Sequence, residues 1–301
     1  MVTVRDLRMR YGDHDVLTGV DFDLHAGEVL CLLGPNGAGK TTTIEILEGF
    51  RIRSAGEVTV LGEDPATAGE SWRARTGVVL QSWRDHPRWT PRRLLTLLGG
   101  YYAPYATAAQ PRPWEVEDLL DVVGLSDLAD RKIVTLSGGQ RRRLDVAMGI
   151  IGRPELLFLD EPTAGFDPQA RRDFHHLVHR LAGSTTILLT THDLDEAEKL
   201  ADRVVILAGG RIVADDTPQG LAQRVAGESE VRWTRHGEPY VHATDDATRF
   251  VRELFLQHGE EVEELEVHRA NLEDAYLTLV QQHESGKAAE AARDFVEVAT
   301  R

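Results

Sequence analysis

The sequence is poor in cysteine, since Cys31 is the only one among 301 residues. A single thiol excludes an intrachain disulfide and a thiolate metal cluster. We therefore expect Cys31 to be a small buried core residue, in a protein that works in a reducing cytoplasm.

Long apolar runs are also lacking. Nowhere do about 18 apolar residues follow one another, so no segment is predicted to cross a bilayer. The first ten residues, MVTVRDLRMR, lack the apolar stretch of a signal peptide. If the protein serves a membrane process, we expect another polypeptide to supply the membrane part.

Positive charge is scarce as well. The net charge is −15, from 34 basic and 49 acidic residues, which argues against a surface that coats nucleic acid. Lysine is rarest among the basic residues, so the setting of Lys40 in a glycine-rich segment is noticeable. The 42% hydrophobic and 28% charged residues are ordinary for a globular protein and exclude disorder of the whole chain.

The order of patterns predicts an α/β fold. Alternating apolar residues in residues 1–26 indicate antiparallel strands, and strands then alternate with helices up to about residue 215. A helical subdomain is expected over about residues 82–150, with a proline-rich break at 104–113. Residues 216–282 are predicted to form a small C-terminal α+β domain, and residues 283–301 a polar tail.

The first chemical motif runs from Gly34 to Thr41 and fits G-x-x-x-x-G-K-[ST]. The strand predicted before it and the helix after it argue against a chance glycine turn. Backbone N–H groups of such a loop cradle phosphates, Lys40 reaches the β- and γ-phosphates, and the Thr41 hydroxyl binds Mg²⁺. We predict that ATP is bound by Gly34, Pro35, Asn36, Gly37, Ala38, Gly39, Lys40, Thr41 and Thr42.

The second motif is Asp160–Glu161, after the apolar run LLFL. Adjacent carboxylates are common at strand ends, so the pair alone does not indicate a function. The phosphate loop upstream makes a chance occurrence a poor explanation. We predict that Asp160 lies near Mg²⁺ and that Glu161 is the general base that accepts a proton from the attacking water.

A third motif, LSGGQ at residues 136–140, is another turn that can bind an anion before a helix. Together with the phosphate loop it resembles the ATP-binding cassette (ABC) family, within the P-loop NTPases. The resemblance implies a head-to-tail dimer, most simply of two identical chains. In that arrangement Ser137, Gly138, Gly139 and Gln140 contact the ATP held by the partner.

Further family elements follow in register over residues 1–215. Tyr11 matches the residue that stacks on adenine, although alone it could be any edge tyrosine. Gln81 matches the glutamine that senses Mg²⁺ and the attacking water, and Asp167 matches the loop that links the two ATP sites. His192 matches the histidine that contacts the γ-phosphate, although a lone histidine after a strand is usually a surface or capping residue.

The same resemblance suggests what the ATPase drives. Single-cassette chains of this kind bind a separate multi-span permease at the cytoplasmic face of the membrane, here through a segment around residues 83–105. Residues 46–49, 136–146 and 271–277 resemble ATPases of bacterial ABC-2 exporters of drugs, antibiotics or lipid-like substrates, whose C-terminal domain is thought to hold or regulate the dimer.

Two other functions stay open at this point. The chain could serve an importer, or it could be a soluble ABC ATPase that acts on ribosomes or DNA. The second of these usually has two cassettes or a long coiled coil, which this sequence lacks, and no nucleic-acid partner is expected. Arg141–Arg143 are predicted to face solvent or acidic neighbours, and His175, His176 and His179 are not predicted to bind a metal.

Overall fold

The computed structural model describes residues 1–79, 87–225, 229–268 and 271–283. The chain divides into two compact units, Met1–Asp215 and Asp216–Arg301, at the point where the sequence changes character. Gln81, the beginning of the predicted docking segment and the polar tail beyond residue 283 lie outside the described residues.

The first unit combines strands and helices in the predicted alternation. Its strands are β1 (Val2–Tyr11), β2 (His14–Leu24), β3 (Val29–Leu33), β4 (Ala55–Val60), β5 (Thr76–Val79), β6 (Leu156–Asp160), β7 (Thr186–Thr191), β8 (Arg203–Ala208) and β9 (Arg211–Asp216), which reaches the boundary. Its helices are α1 (Lys40–Leu47), α2 (Glu70–Arg73), α3 (Pro91–Tyr102), α4 (Val116–Val122), α5 (Gly138–Ile150), α6 (Pro168–Ala182) and α7 (Leu194–Leu200).

A mainly parallel sheet forms the centre of this unit. Its strand order is β5-β6-β7-β3-β8-β9, and β3 is parallel to both β7 and β8. Strands β3 and β7 are buried along their whole length, which agrees with the unbroken apolar runs of the sequence. The predicted α/β fold with a mainly parallel sheet is confirmed.

The registers of the central strands bring their carboxyl ends together. Leu33 pairs with Thr191, and Asp160 pairs with Thr190. The segments that follow β3, β6 and β7 therefore begin at one edge of the sheet, where ligands of open α/β sheets usually bind.

An antiparallel sheet of order β2-β1-β4 forms a second layer, as the alternating N-terminal pattern predicts. Its inward residues, among them Val4 and Phe22, belong to the same hydrophobic core as Ile44 and Leu47 of α1. Trp72 is fully buried in this core and donates from Nε1 to the carbonyl of Val60 at 2.7 Å. The phosphate-loop helix is thus fixed between two sheets.

The C-terminal unit is a small α+β structure. Its antiparallel sheet has the order β11-β10-β12, and its elements are β10 (Ser229–Arg235), β11 (Glu238–Thr244), β12 (Glu263–His268), α8 (Pro218–Val225), α9 (Ala247–His258) and a helix over residues 272–283, α10. Trp233 stacks on Tyr240 with ring centroids 5.5 Å apart and also contacts Phe250. Among the described residues, no helix has the length and apolar character needed to span a membrane.

Candidate functional site

The glycine-rich segment forms a loop between β3 and α1. Gly37 and Gly39 have φ angles of 81° and 106°, a region that favours glycine. Gly34 lies against another strand, because a Cβ atom there would be 2.3 Å from the carbonyl oxygen of Leu207. The first N–H groups of α1 have no partner within the helix, so they are available to an anion.

Lys40 begins α1 and is only 6% exposed. Its Nζ donates to the carbonyl oxygens of Gly34 at 2.7 Å and Pro35 at 3.2 Å, so the amine lies inside the loop. Burial lowers the pKa of Lys40, and the nearby carboxylates of Glu161 and Asp160 oppose this effect. The predicted cation and the two predicted carboxylates are therefore close enough to interact electrostatically.

The two carboxylates are held at the end of β6 by the neighbouring strand. Thr190 Oγ1 donates to Asp160 Oδ1 at 2.5 Å, and the backbone N–H of Glu161 donates to Thr190 at 3.1 Å. Glu161 has a φ angle of 44°, which is strained for a residue with a side chain. The two carboxyl groups have different partners, Thr190 for Asp160 and His192 for Glu161.

His192 lies beside Glu161, with its Nδ1 atom 3.2 Å from Glu161 Oε1. The histidine side chain is 57% exposed and the glutamate side chain 20% exposed, so the pair borders solvent. The structure thus brings together two residues that are 31 positions apart in sequence and were selected separately. Such a pair can orient a water molecule and accept its proton.

The residues of the LSGGQ motif form a different cavity. Ser137 is the N-cap of α5 in a capping box, in which Ser137 Oγ accepts from the Gln140 N–H and Gln140 Oε1 accepts from the Ser137 N–H. Asp167 is the N-cap of α6, and its Oδ1 accepts from the backbone N–H groups of Gln169 and Ala170. The lining of a cavity of about 490 Å³ includes Ser137, Gly138, Gly139, Gln140 and Asp167. No residue of the phosphate loop lines it.

Comparison with known proteins identifies the family. The profile described as ABC transporter matches residues 17–164. Nod factor export ATP-binding protein I of Burkholderia lata is 40% identical over 227 residues, which cover 75% of this chain and 74% of that protein. The daunorubicin resistance ATP-binding protein DrrA2 of Streptomyces coeruleorubidus is 38% identical, with 97% of this chain and 98% of that protein covered. The chain belongs to the ABC transporter family.

Solved structures agree with this assignment. A structure described as the ATP binding subunit of an ABC transporter has a TM-score of 0.64 and 27% identity, and covers 74% of this chain and 92% of its own. The ADP conformation of MJ1267, an ATP-binding cassette of an ABC transporter, has a TM-score of 0.62 and 26% identity over 73% and 92% of the two chains. The predicted cassette fold and ATPase class are confirmed, and cassettes of this family power transport.

The roles of two further predicted ABC site residues, Tyr11 and Gln81, are not tested by the contacts described above. Tyr11 ends β1, is 40% exposed, and has the Arg51 guanidinium 5.1 Å from its ring centroid. An exposed ring of this kind can stack on a base, so adenine binding by Tyr11 stays a prediction. Gln81 lies outside the described residues, and its role also stays a prediction.

All three arginines of the ABC signature helix have acidic neighbours, as expected, and Arg142 lies 3.8 Å from Asp145, but they differ in burial. Arg141 approaches Asp145 and Arg143 approaches Asp173, as expected for residues with acidic neighbours. Arg142, however, is only 6% exposed, and its Nε donates to the carbonyl oxygen of Pro162 at 2.9 Å. Its burial follows from the close packing of α5 against the loop after β6, which a run of three arginines does not reveal.

Sequence reasoning also missed the residues that support this centre. Thr190 binds both Asp160 and Glu161, and Arg171 forms an ion pair with Asp193 at 2.6 Å next to His192. Thr190 belongs to an apolar strand in the sequence, where a hydroxyl gives no distinct signal. Only its register opposite Asp160 reveals its function.

Proposed function

We propose that this chain is the ATP-hydrolysing subunit of a bacterial membrane exporter and that it works as a homodimer bound to a separate permease. The observation that carries the hydrolytic part is the pairing of Glu161 with His192 beside the phosphate loop. Lys40 and the N–H groups of residues 34–42 bind the phosphates of ATP, and Tyr11 stacks on the adenine.

Mg²⁺ fits the oxygen atoms that the site provides. Thr41 has an exposed side chain in the first turn of α1, and Asp160 is a half-buried carboxylate that is fixed by Thr190. Hydroxyl and carboxylate oxygens are the ligands that Mg²⁺ takes beside phosphates. We infer that Thr41, Asp160 and Gln81 hold the ion, which would neutralise charge on the phosphates when bound.

Glu161 is the proposed general base. Its carboxylate accepts a proton from the water that attacks the γ-phosphate, while His192 contacts the γ-phosphate and keeps Glu161 in place. Asp160 is held by Thr190 and Glu161 lies beside His192, so in this proposal one carboxylate serves the metal and the other serves the water. Each adjacent acid thus has one task.

The proposed dimer follows from the separation of the two binding elements. Ser137, Gly138, Gly139, Gln140 and Asp167 line a cavity that no residue of the chain's own phosphate loop reaches. In the head-to-tail arrangement, each ATP is bound by the phosphate loop of one chain and the signature of the other. ATP therefore closes the two chains, and hydrolysis lets them open.

Export is supported by the names of the similar proteins, which include a Nod factor export protein and a daunorubicin resistance protein. The second of these matches along almost its whole length, including the C-terminal unit. We infer a peripheral position at the cytoplasmic face of the membrane and a drug, antibiotic or lipid-like substrate. The segment around residues 83–105 is the proposed contact with the permease.

Replacement of Glu161 by Gln tests the hydrolytic proposal. Gln keeps the shape but cannot accept the proton, so we expect the hydrolysis rate to fall roughly 10²- to 10⁴-fold with ATP binding retained. Release of phosphate and binding of a fluorescent ATP analogue are measured on the full chain. Asp118→Asn, an exposed change on α4, is the control, and a wild-type rate in Glu161→Gln would disprove the base assignment.

Co-purification tests the transport proposal. The tagged chain is recovered from the detergent-solubilised membranes of its native cell, and proteins bound in stoichiometric amount are identified. A multi-span membrane protein supports the exporter proposal and indicates candidate substrates. Recovery from the cytosol alone, or with ribosomes or DNA, would leave the ATPase chemistry intact and refute export.

A further inference from the structure

Glu196 on α7 is a buried glutamate that has no role in the function proposed above. It is 1% exposed and lies one helical turn after His192. Burial raises the pKa of Glu196, and the neighbouring hydroxyl groups of Thr191 and Thr163 partly offset this effect. Neither carboxylate oxygen of Glu196 has a hydrogen-bond partner, although both are buried.

The carboxyl group of Glu196 shares a cavity with the proposed catalytic pair. Glu161, His192, Thr163, Thr191 and Glu196 all line one cavity of about 160 Å³. A buried carboxyl group costs folding free energy unless polar neighbours compensate for the lost water. An apolar side chain would fill the same place at lower cost, so the packing of α7 does not explain a glutamate here.

The loop that carries Glu161 requires support. A residue with a side chain and a φ angle of 44° keeps that conformation only where its surroundings hold it. Two residues of the loop have such contacts, because Thr190 binds the N–H of Glu161 and Arg142 binds the carbonyl of Pro162. The next residue, Thr163, lines the same cavity as Glu196. Glu196 also lies against the segment that carries His192.

The second contact of Glu196 is with that histidine loop. Thr191 precedes His192 and accepts from the Asp193 N–H at 3.0 Å. Asp193 in turn caps α7 by accepting from the Glu196 N–H at 3.2 Å. One buried carboxyl group thus shares a cavity with Thr163, two residues after the base, and with Thr191, directly before the histidine.

We propose that Glu196 is a positioning residue for ATP hydrolysis, which accepts from the hydroxyls of Thr163 and Thr191 and thereby fixes Glu161 and His192 relative to each other. This inference rests on the proposed function, in which Glu161 is the general base. In this role Glu196 acts through Glu161 and His192, so its removal should lower the rate of hydrolysis and leave ATP binding unchanged.

The test compares Glu196→Ala and Glu196→Gln with Glu198→Ala, an exposed glutamate on the same helix. We expect Glu196→Ala to lower kcat about tenfold to hundredfold, as misplacement of catalytic groups does, with KM for ATP changed less than about twofold. Glu196→Gln keeps one acceptor oxygen and recovers part of the rate, and Glu198→Ala behaves as the wild type. A fluorescent ATP analogue measures binding, and thermal unfolding verifies the fold.

A double-mutant cycle separates positioning from general stabilisation. Thr163→Val removes a donor to Glu196, so it should cost little in the Glu196→Ala background although it lowers kcat by itself. The proposal would be overturned if the two substitutions lowered kcat independently of each other. It would also be overturned if Glu196→Ala kept the wild-type kcat, or if this variant changed only KM. If Glu196→Ala does not fold, Glu196→Gln with Thr163→Val provides the same cycle.

The assignment of Glu161 as the general base is tested in the same experiments. If Glu161→Gln is inactive and Glu196→Ala is normal, only the positioning inference fails. If Glu161→Gln retains the wild-type rate, the assignment of the base fails, whatever Glu196→Ala does.

Discussion

At the scale of single residues, buried carboxyl groups are what distinguish this active-site region from an ordinary α/β core. Glu48 ends the segment that carries the phosphate loop and is only 5% exposed. Burial, together with the charges of Asp160 and Glu45, raises the pKa of Glu48 from 4.5 to about 8. The folded chain therefore holds a proton on Glu48 at pH 7, which the unfolded chain releases.

The pH dependence of stability follows from this difference. Between about pH 4.5 and pH 8 the folded state binds more protons than the unfolded state, so the contribution of Glu48 to the free energy of unfolding falls as pH rises. Glu48→Gln removes this penalty. We expect the Tm of the variant to lie several degrees above that of the wild type at pH 8, because each kcal/mol of added unfolding free energy raises Tm by about 2–4 °C. At pH 5 the two Tm values should be almost equal.

Melting curves of both proteins over that pH range measure the effect. Glu57→Gln, an exposed change on β4, serves as the control and should shift Tm equally at every pH. A gain of Glu48→Gln that is largest at pH 5 would contradict the assignment of a neutral Glu48.

Residues of the active site were predictable to very different degrees. Lys40 and Glu161 were found from local motifs and His192 from its place in the order of the family's elements, and the structure places the last two 3.2 Å apart. Thr190 and Arg142 were not found, because their partners lie about 20 to 30 positions away in sequence. Such contacts depend on strand register and helix packing, which no local pattern encodes.

At the scale of elements, the strands and longer helices followed from periodicity, whereas close approaches between elements did not. Strand β3 and helix α1 lie directly before and after the glycine-rich loop, as the sequence predicts. The packing of α5 on β5 depends instead on a glycine, because a Cβ atom on Gly149 would lie 2.6 Å from Val79 Cγ2. The sequence marks Gly149 only as an unfavourable residue in a helix.

This contact predicts opposite effects for two glycine replacements. Alanine is favoured over glycine in a helix by about 1 kcal/mol, so Gly100→Ala on α3, where no atom lies within 4 Å of the new Cβ, should stabilise the protein by up to that amount. Gly149→Ala should destabilise it by about 1–3 kcal/mol through overpacking. Urea unfolding of both variants measures the difference, and stabilisation by Gly149→Ala would show that α5 can move away from the sheet.

At the scale of the whole molecule, the chain carries one complete set of ATP-binding elements in two places. The phosphate loop with Glu161 lies at the carboxyl edge of the central sheet, and the signature residues line a separate cavity. The sequence shows that both elements are present, but their separation is a property of the fold. It is this separation that makes a second copy necessary in the proposed mechanism.

Mixing two inactive variants tests that requirement. Lys40→Ala removes the cation of the phosphate loop, and Ser137→Arg blocks the signature, so neither variant should hydrolyse ATP alone. In a head-to-tail dimer that contains one chain of each, the intact phosphate loop of the Ser137→Arg chain meets the intact signature of the Lys40→Ala chain. With random pairing, one of two sites is restored in half of the dimers, which predicts roughly a quarter of the wild-type rate.

The matched control replaces the Ser137→Arg chain by the double variant Lys40→Ala/Ser137→Arg. No dimer of that mixture contains an intact phosphate loop, so phosphate release should stay at the background level. Fluorescent ATP should bind to Ser137→Arg monomers as it does to the wild type, because the signature contributes only to the partner's site. If the two single variants remain inactive together and Ser137→Arg monomers lose ATP, the signature acts within its own chain and the proposed dimer is wrong.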